Sequence, residues 1–208
     1  MYLGIEGIPG VGKTTACKAL SERLGWRVLF EPVKAVEEAG LLKDFYEAPA
    51  KHAFVFQTYM LHARFRLQQL ACYEEAPVIL DRTLAGDWLF AEAHALAGNI
   101  TKHEWWVYQQ AYEVMTAIRP PFLLLFLDVA PEVAYARVRA RARPSEANMT
   151  LGYLTGLRDR YESLLSRIQI GNHRWRGTSV MRYPWLDGMD KDENWMHDLV
   201  TLIKRRMA

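Results

Sequence analysis

The stretch Gly7-Ile8-Pro9-Gly10-Val11-Gly12-Lys13-Thr14 most constrains what this chain can become, because it fits the phosphate-binding pattern G-x-x-x-x-G-K-[ST] at every fixed position. Its glycines let the backbone wrap so closely that successive N–H groups face phosphate oxygens, and a helix starting near Thr14 adds the positive end of its dipole. In such a loop the residues from Gly7 to Thr15 cradle a nucleotide, Lys13 reaches the β- and γ-phosphates, and the Thr14 hydroxyl coordinates Mg²⁺. The flanks agree. Tyr2 to Glu6 reads as a short buried strand, and Thr15 to Leu24 has the apolar spacing of a helix. A chance Gly-rich turn would need neither.

With 208 residues, half of them hydrophobic, the chain can bury one good core, so residues 1–208 are expected to form a single α/β domain without a linker. A formal net charge of +2 gives no reason to expect a nucleic-acid partner. Cys17 and Cys72 lack C-x-x-C spacing and the chain opens directly on a strand, not on a signal peptide, which together point to the cytosol. The apolar run Pro121 to Leu127 is too short to span a bilayer and suits a central parallel strand, so no membrane segment is expected. The six histidines lack the i, i+4 spacing of a helical metal site, and any metal should be Mg²⁺ arriving with the nucleotide.

Further along, Trp26 to Phe30 reads as a second strand that ends on Glu31-Pro32. A carboxylate at the carboxyl end of a strand in a doubly wound sheet faces the ligand crevice, which makes Glu31 a candidate base, against the plainer reading of a surface acid closing a strand. Residues 40–49 look like a mixed short helix and loop. His52 to Glu75 carries a long helical pattern, with Phe54, Met60, Leu61, Phe65 and Leu67 apolar and Gln57, Arg64 and Gln68 polar. An amide beside a cleft can read a base through its paired donor and acceptor, but Gln57 taken alone belongs on a solvated face. Pro77 to Leu80 is a third strand delivering Asp81-Arg82-Thr83 to the same edge, where Asp81 can hold the water shell of Mg²⁺ and Arg82 can steer phosphate and base. Helices follow over residues 88–97 and 102–118, separated by Gly98-Asn99. Trp105, Trp106 and Tyr108 read as packing.

The fourth strand, Phe122 to Asp128, leads into a helix carrying Arg137, Arg139, Arg141 and Arg143. Alternate positions cannot share one helix face, so the cluster must break the helix or point several ways; a nucleic-acid patch is the plain reading, and in a P-loop protein a mobile lid closing arginines on a phosphoryl group is the sharper one. Helices over 151–170 and 194–206 flank a fifth strand, Ser179 to Tyr183, and the tail Lys204-Arg205-Arg206 is a solvated helix end.

In this order the motifs resemble the deoxyribonucleoside kinase family, and its bacterial deoxyadenosine/deoxyguanosine branch most of all, from about Tyr2 to about Ile170. The likeness rests on the P-loop, Glu31-Pro32-Val33, Phe56-Gln57-Thr58-Tyr59, Asp81-Arg82-Thr83 and the arginines from Arg137 to Arg143, with Gly98-Asn99-Ile100-Thr101-Lys102 and Tyr108-Gln109 matching the bacterial branch. It implies a three-layer α/β/α P-loop kinase fold with a five-stranded parallel sheet, a lid over about 137–146, and a homodimer. It further implies transfer of the γ-phosphate of ATP, with Mg²⁺, to the 5′-hydroxyl of a deoxynucleoside. By position, Glu31 becomes the base for the 5′-hydroxyl proton, Gln57 the bidentate reader of the nucleobase, and Tyr46 and Glu146 the partners of the sugar 3′-hydroxyl. Asp81 and Arg82 match the acid and the arginine of the family's [DE]-R-[ST] motif. Arg137, Arg141 and Arg143 match the lid positions, with Arg139 between them, and Phe90 falls where a ring stacks on the base.

Arg64 and Asp87 fall where the purine and cytosine kinases of the family carry an Arg/Asp pair. An aspartate there would accept from an exocyclic amine and repel a carbonyl, so deoxyadenosine is expected first, deoxyguanosine and deoxycytidine next, and thymidine as a poor substrate. Two departures stand out. Val36 occupies a place where the family often has tryptophan, and His173 to Asp192 aligns with nothing in it.

A thymidylate-type monophosphate kinase shares the P-loop, an Asp-Arg motif and an arginine-rich lid, but would follow its Glu-Pro with a Gly-rich turn where this chain has Val33-Lys34-Ala35. A nucleotide-switched binding module of the GTPase kind would need Asp-x-x-Gly and Asn-Lys-x-Asp, and neither is present.

Overall fold

A computed structural model describes residues 1–171 and 175–207. Five strands make one all-parallel sheet in the order β2-β3-β1-β4-β5: β1 Tyr2–Glu6, β2 Arg27–Leu29, β3 Val78–Asp81, β4 Leu123–Asp128 and β5 Ser179–Pro184. β1 lies at the centre, with Leu3 opposite both Ile79 and Leu123, and all five of its residues are buried. A strand covered on both faces needs a nearly continuous apolar run, which is why Leu123 to Leu127 contributes five leucine or phenylalanine side chains with no measurable exposure.

The helices are α1 Lys13–Leu24, α2 Val33–Glu38, α3 Leu41–Glu47, α4 Pro49–Tyr73, α5 Leu84–Leu96, α6 Lys102–Met115, α7 Pro131–Arg141, α8 Leu151–Gln169 and α9 Glu193–Met207. α1 starts two residues earlier than the apolar spacing suggested, because Gly12 in the left-handed region (φ 94°) turns the chain directly into it. The mixed segment 40–49 is the short helix α3 with its flanking turns, and a further short helix that the sequence did not suggest, α2, precedes it. α6 opens on a reciprocal cap, Thr101 and Glu104 each satisfying the other's backbone donor, and ends at Met115, before the Ile118 that the sequence pattern suggested.

The largest departure is on α4. Its inward stripe runs Ala53, Gln57, Met60, Leu61, Arg64, Gln68 and Ala71, while Val55, Leu70 and Tyr73 are exposed. Gln57 is only 2% exposed, so the solvated face expected for it is wrong. The helix turns its polar residues toward the centre of the molecule because a polar cavity lies there. Among the described residues no helix is long and apolar enough to cross a membrane. His173 and the first residues of the unaligned segment His173 to Asp192 lie outside the described residues.

Candidate active site

The carboxyl ends of β1, β2 and β3 open into a cavity of about 520 Å³. Its floor is the phosphate loop. Gly10 (φ 88°) and Gly12 (φ 94°) adopt a backbone that suits glycine, and both also lack room for a side chain. A Cβ on Gly10 would lie 2.2 Å from the Ala134 carbonyl oxygen of α7, and one on Gly12 would lie 2.9 Å from Trp185 Nε1. Pro9, Gly10, Gly12, Lys13, Thr14 and Thr15 line the cavity, while Gly7, Ile8 and Val11 are buried beneath it. Lys13 Nζ donates to the carbonyls of Gly7 (3.2 Å) and Ile8 (3.1 Å). Burial, and then the neighbouring Arg82 charge, pull its pKa down to about 7, against the opposing pull of Asp81 and Glu31.

Thr14 Oγ1 donates to Asp81 Oδ2 at 3.1 Å, and Asp81 Oδ1 is buried without a hydrogen-bond partner among the described residues. Burial raises the Asp81 pKa, and Glu31 adds to the rise. An oxygen-only pair with one orphaned carboxylate oxygen beside a phosphate loop fits a hard divalent cation.

Above this floor stands a buried ionic cluster. Arg64 Nε donates to Glu31 Oε1 at 2.8 Å, with Nη2 reaching the same oxygen, while Nη1 pairs with Asp87. Arg82 Nε lies 3.6 Å from Glu31 Oε2, and its guanidinium rests over the Phe90 ring at 4.6 Å. Burial alone would raise the Glu31 pKa, but Arg64, Arg82 and Lys13 outweigh it and hold the carboxyl below its usual value. Glu31, Gln57, Arg64, Arg82 and Phe90 all line the cavity.

Asp87 does not. It is fully buried behind Arg64, and its second oxygen accepts the Tyr108 hydroxyl. Burial raises its pKa, against Arg64 and that hydrogen bond. The assignment of Tyr108 to plain packing therefore misses a polar role. Tyr108 does stack on Trp105, whereas Trp106 is exposed.

Tyr46, Arg141, Arg143 and Glu146 bring the lid to the far wall, where Arg141 Nε donates to Glu146 Oε2 at 2.7 Å. The arginines point several ways, as their spacing required. Arg139 donates to the Ala147 carbonyl. Arg137 stands off the cavity, donating to the Val11 carbonyl at 3.1 Å and pairing with Asp187 at 2.9 Å, because the face of α7 that carries it packs down on the phosphate loop. Val36, buried at 2% exposure, supplies a wall where the family often has tryptophan. Glu6 and Tyr161 also belong to the arrangement and were not singled out from the sequence. Glu6 could have been, since it too is a carboxylate at the carboxyl end of a strand.

A family model described as "Deoxynucleoside kinase" matches residues 3–205. The chain is 31% identical over 193 residues to a deoxyadenosine kinase of Dictyostelium discoideum, covering 92% of this chain and 75% of that protein. It is likewise 31% identical over 166 residues to a deoxyadenosine/deoxycytidine kinase of Bacillus subtilis, covering 78% and 75%. Among solved structures, deoxyadenosine kinase from M. mycoides with bound dATP superposes with a TM-score of 0.79 at 24% identity, covering 98% of this chain and 99% of that one.

The depressed Lys13 has a measurable signature. Its ordinary pKa is 10.5 and its folded value is about 7. Between the two the unfolded chain holds a proton that the folded chain has released, so Lys13 makes stability rise with pH across that window. The unfolding free energy of the nucleotide-free protein, followed from about pH 7 to about pH 9, should climb relative to that of Lys13→Met. Parallel curves would mean that Lys13 keeps its charge on folding.

Proposed function

This chain belongs to the deoxynucleoside kinase family, and from that premise we propose that residues 1–208 act as one catalytic domain transferring the γ-phosphoryl group of ATP to the 5′-hydroxyl of a 2′-deoxynucleoside. The observation that carries this reading is that the phosphate loop, Glu31 and Arg82 face one cavity. Phosphoryl transfer asks a protein for positioning and charge neutralisation more than for covalent chemistry. Glu31, held ionised by its arginines, takes the proton from the 5′-hydroxyl. Arg82 steers the 5′ end and the phosphoryl oxygens beside it. Lys13 meets the donor phosphates, whose negative charge restores its proton. Thr14 and Asp81 would hold Mg²⁺, which when bound supplies further charge neutralisation. Tyr46 and Glu146 hold the sugar, and Arg141 and Arg143 close on the phosphates. Arg137 acts from beneath by seating α7 on the loop.

For the base, the reading is a purine preference with deoxyadenosine first and deoxyguanosine and deoxycytidine behind. The names of the relatives at 31% identity support it. Gln57 offers a donor and an acceptor to the adenine edge. Arg64 has three N–H groups committed to Glu31 and Asp87, so it offers a base carbonyl little. Asp87 thus acts through Arg64, not by touching the base.

A homodimer goes with this reading. Val55, Leu70 and Tyr73 of α4 and Trp106, Val107 and Val114 of α6 are exposed on two packed helices, and a second copy would cover them. Sedimentation of the wild type at twice the chain mass, reverting to one chain mass in Trp106→Glu, is the expected outcome. A monomeric wild type would refute it.

Incubation with labelled ATP should give 5′-monophosphates of deoxynucleosides, and Glu31→Gln should lose about 10²–10⁴-fold in turnover with nucleoside binding retained. Transfer only to monophosphates would favour the thymidylate-type reading, and near wild-type turnover in Glu31→Gln would make Glu31 structural.

The kcat/KM values of the four deoxynucleosides should place deoxyadenosine above thymidine by up to about 10⁴-fold. Asp87→Ala, which frees Arg64 Nη1 for a carbonyl, should narrow that gap. A wild-type preference for thymidine, or an unchanged ranking in the variant, would show the base-reading pair to be misplaced.

A further inference from the structure

Arg82 is held from behind by residues that never reach the cavity. Its backbone sits in the left-handed region (φ 73°), and its N–H donates to the Ile5 carbonyl at 3.1 Å. The next residue, Thr83, donates both its N–H (2.7 Å) and its hydroxyl (2.8 Å) to Glu6 Oε1. Glu6 Oε2 accepts the Tyr161 hydroxyl at 2.7 Å, and that same hydroxyl oxygen accepts Arg82 Nη1 at 3.0 Å. Glu6, Thr83 and Tyr161 are all fully buried. Burying a carboxylate is costly unless its oxygens find donors, and here Glu6 has three, two from Thr83 and one from Tyr161, on either side of Arg82.

The arrangement answers a specific difficulty. Arg82 lies between two carboxylates, with Glu6 Oε2 3.7 Å from Nη1 and Glu31 Oε2 3.6 Å from Nε. A guanidinium so placed would collapse onto whichever acid was less occupied. The Tyr161 hydroxyl prevents this by spending its proton on Glu6 and its lone pair on Arg82, which keeps Arg82 from a direct hydrogen bond to Glu6 and leaves Nε facing Glu31 at 3.6 Å.

We propose that Glu6 and Tyr161 form a positioning pair that aims Arg82 at Glu31 and the reacting phosphoryl group, and so joins the phosphate-loop strand β1 to helix α8, which leaves the lid. The inference rests on the reading that Arg82 serves phosphoryl transfer. Tyr161→Phe leaves one Glu6 oxygen without its donor, and Arg82 then swings to Glu6 and away from Glu31.

A misplacement of this size removes an interaction made in the transition state. Tyr161→Phe should therefore lower kcat by roughly 10- to 100-fold while the KM for the deoxynucleoside moves less than about twofold. In an Arg82→Lys background the same change should cost nothing more, because the group it aims is already gone. Should Tyr161→Phe fail to fold, Glu6→Gln carries the same cycle, its amide setting a donor against the Tyr161 oxygen that already accepts from Arg82. An unchanged kcat in Tyr161→Phe alongside a slow Arg82→Lys overturns the positioning pair and leaves the role of Arg82 standing. A loss that is equal in both backgrounds also overturns it, since a general packing defect would act that way. An Arg82→Lys variant with wild-type kcat overturns both.

Discussion

Arg64 shared between Glu31 and Asp87 is the interaction on which the site depends. Its side chain is 6% exposed, so its charge can be buried there only because two carboxylates meet it. The same pairing fixes the properties of both partners. Glu31 stays ionised despite burial, and Asp87 is turned from a group that could touch ligand into one that aims another group. Removing Arg64 would leave the fully buried Asp87 without its counter-charge, so α4, α5 and the turn after β2 are tied together by charge as well as by apolar contacts.

That cluster also explains the odd packing of α4. An ordinary helix on a sheet turns its apolar stripe inward and its polar residues to water. α4 does so only in part, because Gln57 and Arg64 line the cavity and Gln68 accepts the Leu84 N–H at the start of α5, and it leaves Val55, Leu70 and Tyr73 outside. Stability that a fully apolar inner face would have supplied has been given up for a polar wall of fixed shape.

How much of this was legible in the sequence follows from how local each signal is. The phosphate loop, the parallel sheet and the strand-end acids could be read because each depends on a few consecutive residues: glycine spacing, an apolar run, a charge where the run stops. The partnership of Arg64 with Glu31 joins residues 33 positions apart on a helix and a turn, and no spacing rule gives it. The resemblance supplied Arg64 and Asp87 as a pair, but not the burial of Asp87 or its bond to Tyr108. The bond between Tyr161 and Glu6, 155 positions apart, was invisible for the same reason, although Glu6 by itself was legible as a strand-end acid. Arg137 shows the opposite limit: its place in a row of arginines suggested a ligand contact, whereas the position of α7 on Gly10 turns it to the loop's own Val11 carbonyl.

The seating of Trp185 on Gly12 bears on how the molecule comes into being. β1 and its loop are synthesised before the elements they pack against, yet β1 finds its sheet partners only at residues 78–81 and 123–126, and the loop is covered only when Trp185 and the Arg137–Asp187 pair are in place. The loop thus precedes in synthesis every element that gives it its final shape. Until residues 185–187 have emerged, the loop is a glycine-rich segment without its cover.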